Sequence, residues 1–405
     1  MTGQRIAPAM TLLVVVAGAA AFGDAAAMVT LMLRLSQAGH SAWAITALLF
    51  AILGPSVILA PFAGRLLGRG RAWPLLVLTS AGQAVAAVAL IVARGTGPDL
   101  ALVTAIGAGL ALTQPTLLEI TPTVAGPDRL AWANSLTRSA SWTGWTVGPL
   151  TGGALCATGL AAAALGIEAA SFVLAGACFA VLSRLPAAAP PAPAAVPASS
   201  APDQADVAGT IRYILRDRVL AGLIASVGIT NICVSMTGVA EVFFAREVLR
   251  TGSVGFASLS SAWFGGMIIG TLAAPWAVVR RPSAAAPAGI GVAGAGIVAA
   301  AVASVLPTAV LGYGVGGIGF GLQATVVRTM IQRRADGPLR GRVFGIWVAT
   351  DMSTQLAGYL AGGAAMLVGA RATLTIAGAG LCSVSCAAAA LTARPVFRRL
   401  QHEQP

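Results

Sequence analysis

The sequence predicts an all-helical, polytopic membrane protein with twelve transmembrane helices in two six-helix bundles, and three observations carry that prediction. The first is composition: 57% of the 405 residues are hydrophobic and 9% charged, with a mean hydropathy of +0.85. This is more apolar side chain than a soluble domain can cover, so bilayer is the solvent. The second is punctuation. Pro, Gly and Arg clusters cut the chain into about twelve segments of the roughly 20 apolar residues needed to cross a hydrocarbon core. The third is the stretch 186–202, PAAAPPAPAAVPASSAP, which is rich in Pro and Ala and lacks apolar periodicity. It reads as a semi-extended linker that divides the spans six and six.

The first span is residues 10–33. Arg5 followed by an apolar run ending in Ala25, Ala26 and Ala27 has the outline of a secretory signal, but apolar character resumes after Asp24 and continues from Met28 to Leu33. The second, 42–66, contains Gly54-Pro55 and Pro61 and ends in an arginine-rich turn that includes Gly64, Arg65, Gly68, Arg69 and Arg71. The third covers 73–93. The fourth, 99–121, carries Gln114-Pro115 and Glu119 near its end.

The fifth span holds the most distinctive stretch, SWTGWTVGPLTGGA from Ser141 to Ala154. Helical spacing gathers Gly144, Gly148, Pro149, Gly152 and Gly153 into a smooth strip along which a neighbouring helix can approach closely, and Pro149 removes one backbone donor. The sixth span begins in Gly166-Ile167-Glu168-Ala169-Ala170-Ser171-Phe172.

Beyond the linker, Ile211 to Arg218 is a short amphipathic stretch suited to the membrane surface. Six further spans follow near 219–243, 255–279, 287–306, 308–331, 343–368 and 372–393. The domain division is therefore 1–183 for the first bundle, 184–217 for the linker and surface helix, and 218–405 for the second bundle. In the eleventh span, Gly358-Tyr359-Leu360-Ala361-Gly362-Gly363-Ala364 echoes Gly148-Pro149-Leu150-Thr151-Gly152-Gly153-Ala154 at a constant offset of 210, Gly358 answering Gly148. Two related halves are the expectation.

Charge sets the orientation and excludes several functions. The net charge is +12, and all 25 basic residues are arginine. They sit mostly in short loops, with no basic face and no interleaved aromatics, so nucleic acid is not the partner. With both termini cytoplasmic, the inner loops hold Arg65, Arg69, Arg71, Arg129, Arg184, Arg212, Arg216, Arg218, Arg280, Arg281, Arg333, Arg334, Arg340 and Arg342, while the outer loops hold only Arg34, Arg94, Arg246, Arg250 and Arg371. The five cysteines lie in apolar segments without metal-like partners and read as buried packing. The two histidines, His40 and His402, lie near a loop and at the tail and support neither a triad nor a metal site. No GxxxxGK[ST] phosphate loop is present, so nucleotide hydrolysis does not power the chain. No cofactor, metal or catalytic group is expected, and a membrane protein without such an engine runs on gradients or does no transport.

The informative residues are the ionisable ones inside spans, each of which costs about 2.5–3.5 kcal/mol at mid-bilayer unless it faces a cavity or a partner. Asp24, near the middle of the first span, is the leading candidate for a proton-carrying group; a carboxylate locked to an arginine or capping a bent helix is the alternative. Glu119 and Asp351 are the other coupling candidates. Glu119 with Arg138, and Asp351 with Arg328, are expected to form structural ion pairs. Glu168 and Glu241 fall nearer the outer ends, within reach of water. Trp142, Trp145, Asn231, Tyr313 and Phe320 are candidates to line a substrate cavity.

The strip Gly-x-x-x-Gly-Pro-x-x-Gly-Gly resembles the fifth-helix signature of proton-coupled antiporters of the major facilitator superfamily. The turn from Gly64 to Arg71 resembles that superfamily's loop between helices two and three, with Gly68 where an acid is expected and the end shortened. Phe22-Gly23-Asp24, the stretch 121–136 and the block from Gly166 to Phe172 are similar to the branch that includes the enterobactin exporter and many actinobacterial efflux proteins. The resemblance implies a monomeric, multidrug-resistance type exporter in the cytoplasmic membrane of a bacterium of high GC content. It would move a small amphipathic drug, siderophore or natural product against protons by alternating access. It also places Asp24 on the central cavity, and makes Glu119 with Arg69 or Arg71 a latch of the outward-open state. A proton-coupled importer and a non-transporting sensor or scaffold are the competing functions.

Overall fold

The computed structural model describes residues 3–37, 42–67, 72–93, 95–125, 130–184, 204–280, 282–334 and 340–393. Every regular element among them is helical: α1 Gly3–Gln37, α2 Ala42–Leu67, α3 Ala72–Val92, α4 Thr96–Ala125, α5 Leu130–Ala157, α6 Ala161–Leu182, α7 Gln204–Arg216, α8 Arg218–Phe243, α9 Gly252–Arg280, α10 Pro282–Val302, α11 Leu306–Arg334, α12 Arg340–Ala365 and α13 Ala370–Ala393. A π-helical turn, Phe244–Val248, extends α8, and a 3-10 turn, Met366–Val368, extends α12. In lipid no water is available to satisfy the backbone, so a spanning segment must close its own hydrogen bonds, which the helix does.

Ten of these helices contain segments long and apolar enough to cross a membrane. The two remaining long ones, α5 and α12, have 28 and 26 residues. Their length suffices to span, at roughly 1.5 Å of rise per residue. They carry more polar side chains, among them Arg138 in α5 and Asp351 in α12.

The chain divides after Pro202 into two compact units. In the first, α1 packs along α5 and α6, α2 along α4, and α3 along α4 and α6. In the second, α8 packs along α12 and α13, α9 along α11, and α10 along α11 and α13. The second set of pairings repeats the first, with α8 standing for α1, α12 for α5 and α13 for α6.

The repeat reaches individual residues. A methyl group on Gly148 would lie 2.6 Å from Phe22 O, and one on Gly358 would lie 2.6 Å from Ile232 O. The same geometry links Gly152 with Ala26 (2.5 Å to its O) and Gly362 with Met236 (3.0 Å). Each residue of the second pair lies 210 positions after its counterpart in the first. Gly159 and Gly369 obey the same offset. Both adopt a positive φ, +77° and +90°, between α5 and α6 and between α12 and α13, where any side chain would be strained.

Packing by small residues is the general device. Without a hydrophobic drive between helices in lipid, close backbone approach supplies the attraction. In the second unit α11 is held between α9 and α10 by glycines on both faces: Gly317 against Trp263 O and Gly321 against Met267 O on one side, Gly312 and Gly319 against α10 on the other.

The short helix α7 turns Ile214 into the second unit's core beside Leu220, Leu223 and Ile331, and leaves Ile211 and Leu215 exposed among Arg212 and Arg216. Asp217 follows it and caps α8, accepting from Val219 N at 2.9 Å and Leu220 N at 3.2 Å. The same carboxylate pairs with Arg334 at the end of α11.

The cysteines correct one expectation. All five are free, and only Cys178 is fully buried; Cys386 is exposed. Its position on α13 points it off the unit's core.

Candidate functional site

Asp24 lies on α1, two residues after Phe22, whose carbonyl receives Gly148. Gly144, Gly148 and Gly152 all face α1: methyl groups on them would come within 2.5–2.7 Å of the α1 backbone. Pro149 and Gly153 are buried alongside. Three glycines of the predicted strip therefore sit at the α1–α5 contact, and α1 touches α5 so closely that only glycine fits at three successive turns.

The other face of α1 meets α6. Glu168 is 3% exposed. Its Oε2 lies where a side chain on Gly23 would stand, 2.6 Å from that methyl position, with Ser171 Oγ equally near. The Glu168 and Asp24 carboxyl groups are within hydrogen-bonding reach of each other. Glu168 Oε2 has no donor among the described residues. No arginine pairs with either acid among the described residues, whose ion pairs are Arg34–Asp99 and Arg334–Asp217. Asp24 itself is half-buried. The alternative of an acid locked to arginine does not describe this arrangement.

Glu168 thus corrects the expectation of an acid at a watered outer end. Packing of α6 on α1 carries it inward, and only Gly23 makes room for it. Glu241 is corrected likewise. It is 9% exposed and accepts a hydrogen bond from Ser260 Oγ at 2.7 Å, because α8 turns that face toward α9.

In the second unit, Asp351 and Arg328 do not form the expected ion pair. The helix α12 packs on α8 and α11 between α9 and α10, so the two residues belong to separate contacts. Asp351 instead accepts from Asn231 Nδ2 at 2.7 Å, and Arg328 is exposed. Asn231, expected on a cavity wall, is 7% exposed and commits its amide to this contact.

Tyr313 is also corrected. It is 1% exposed, edge-on to Trp263 with ring centroids 6.3 Å apart. Phe320, two helical turns on and half-buried, lies tilted on the same indole at 5.7 Å. Gly316, between them on α11, leaves the space that Trp263 occupies, for a methyl there would be 2.9 Å from the ring. Trp142 and Trp145 are half-buried on α5, and Arg138 is exposed there.

Gly64 and Arg65 end α2, while Arg69 and Arg71 lie outside the described residues, as does the Glu119 side chain on α4. The latch assigned to them is therefore outside the described structure. An ion pair does tie the other end of this unit: Arg34 at the end of α1 donates to the 1%-exposed Asp99 at the start of α4 (3.2 Å) and to Leu90 O of α3 (3.2 Å).

Sequence reasoning missed Trp263, and it assigned Gly23 and Glu168 no part in the site. Glu168 was visible as an acid inside a span, but nothing local says which helix it faces.

Comparison with known proteins supports the architecture. A family model described as the Major Facilitator Superfamily matches residues 10–346. No curated protein matches the chain. Among solved structures, the chain is similar to the nucleoside transporter NupG, with a TM-score of 0.77 and 13% identity over 95% of this chain and 99% of that one. It is similar to the peptide transporter POT in complex with sulfate, with a TM-score of 0.74 and 15% identity over 97% and 95% of the two chains. A bacterial homologue of the human lysosomal transporter Spinster, inward-facing and unoccupied, gives a TM-score of 0.69 and 14% identity over 96% and 95%. At such identities the likeness shows the fold alone. The family model covers most of the chain and agrees with its helical, repeated, membrane-spanning architecture: the chain belongs to the Major Facilitator Superfamily, as a multi-pass membrane transporter and not an enzyme.

Proposed function

We propose that this transporter exports a small amphipathic molecule, a drug, siderophore or natural product, in exchange for protons. It does so as a monomer in the cytoplasmic membrane with both termini inside. Asp24 is the proton carrier. The observation that carries this reading is an acid in the interior of a membrane-spanning helix, half-buried and without an arginine partner among the described residues, on the helix that the glycine strip of α5 grips. A carboxyl without a cationic partner at that depth is costly to ionise, so its charge state follows its access to water. In alternating access, exposure to the outside loads the proton and exposure to the inside releases it. Inward movement of the charge contributes about 2.3 kcal/mol per 100 mV of membrane potential.

The test is Asp24→Asn, nearly isosteric and equivalent to the protonated acid. A ligand is first selected by thermal shift from a panel of amphipathic drugs, dyes and siderophores. In proteoliposomes the variant should bind it independently of pH, lose uphill efflux under an imposed proton gradient and keep some downhill exchange. Uphill efflux at the native rate would move the coupling site to Glu119 or Asp351.

A further inference from the structure

Glu168 is the buried group that this reading of Asp24 leaves without a task. It is 3% exposed, its Oε2 meets no donor among the described residues, and its carboxyl faces that of Asp24. Two ionised carboxylates have only acceptors to offer each other and no hydrogen bond between them. With one proton on the pair they make a strong one.

The charged groups on the surrounding helices do not change this. On α1 the nearest arginine is Arg34, ten residues or about 15 Å along the axis, and it is engaged with Asp99 of α4. On α5, Arg138 is exposed and lies ten residues, again about 15 Å, before Gly148. Neither α3, which packs on α6, nor the described side chains of α2 carry a charge, and α6 holds no other acid or base. The described side chains therefore favour at least one proton on the pair at all times, kept by the more buried partner, while the half-buried one exchanges its own with water.

We infer that Glu168 is a protonated hydrogen-bond donor to Asp24, a positioning residue that holds the Asp24 carboxylate through the half of the cycle in which Asp24 has given up its proton. The proton on Glu168 does not leave; the transported proton arrives on and departs from Asp24 alone. Gly23 belongs to the device, because a side chain there would displace Glu168 from its neighbour. This rests on Asp24 being the proton carrier.

Infrared difference spectroscopy on the purified full chain in liposomes tests it without a substrate. Glu168→Gln should remove a protonated-carboxyl C=O band present at neutral pH and leave the carboxylate bands unchanged. The pH midpoint of the band that Asp24→Asn removes should hold in Glu168→Gln, whose amide still donates. It should rise by about one unit, tenfold in proton affinity, in Glu168→Leu, which cannot donate. Loss of a carboxylate band in Glu168→Gln would overturn the inference, and so would a midpoint that is the same in both variants. Should the Leu variant fail to fold, the band lost in Glu168→Gln decides alone. Retained uphill efflux in Asp24→Asn would sink the proton-carrier reading whatever the spectra of Glu168 show, and an ionised Glu168 would leave that reading standing.

Discussion

Replacing the interface glycines by alanine asks the two units the same question at equivalent positions. A methyl on Gly152 would stand 2.5 Å from Ala26 O, and on Gly148 2.6 Å from Phe22 O and 2.7 Å from Ala25 Cβ. Ordinary contact of such atoms begins near 3.4 Å, so α1 and α5 must part by roughly 0.8 Å. The neighbours are backbone and a β-carbon and cannot swing aside. Overpacking of this kind costs about 1–3 kcal/mol. By contrast, Gly82 on α3 and Gly222 on α8 have open space where the methyl would go. Alanine there should stabilise its helix by about 0.5–1 kcal/mol. The two classes should thus differ by about 1.5–4 kcal/mol. Thermal unfolding in detergent reads the order, and proteoliposome transport reads the consequence for helices that must slide. Gly148→Ala and Gly152→Ala should lose stability and most transport, Gly358→Ala should behave like Gly148→Ala, and Gly362→Ala, whose nearest contact is 3.0 Å, should be milder. If Gly148→Ala matches Gly82→Ala, or Gly362→Ala costs more than Gly152→Ala, the close-contact argument is wrong.

Two further outcomes are expected, beside those stated for Asp24 and Glu168. Arg34→Ala removes this ion pair from the buried Asp99 and should lower stability by up to about 3 kcal/mol, a figure reduced from that of a fully buried pair because the Arg34 side chain is 26% exposed. Adding Asp99→Asn should recover part of the loss in a thermal-unfolding cycle. Asp217→Ala removes both the cap of α8 and the partner of Arg334 and should cost about 1–2 kcal/mol, with faster hydrogen exchange in the first turn of α8. Asp217→Asn retains the capping oxygen and should cost less; equal losses would show that the cap contributes nothing.

What the sequence determined by itself was everything that depends on composition and on periodicity along one helix. Apolar content and the spacing of Gly, Pro and Arg put most of the long helices within a few residues of their observed bounds, as in 42–66 against Ala42–Leu67 and 372–393 against Ala370–Ala393, while the first span, 10–33, fell short of Gly3–Gln37 at both ends. The glycine strip was legible because helical spacing alone gathers Gly144, Gly148 and Gly152 on one side. The offset of 210 was legible in α12 because the repeated residues there are still glycines; in α8 it was hidden, because Ile232 and Met236 answer Phe22 and Ala26 only through their backbone positions. Tertiary structure decided which helix each face meets, and so every pairing of side chains from different helices. Asp351 found Asn231 and not Arg328, Tyr313 and Phe320 closed on Trp263, and Glu168 came to lie over Gly23 beside Asp24. An acid inside a span announces that it needs a partner, but the partner stands 144 positions away in the chain. Only the packing of α6 against α1 brings the two carboxyls together, and no local pattern encodes it.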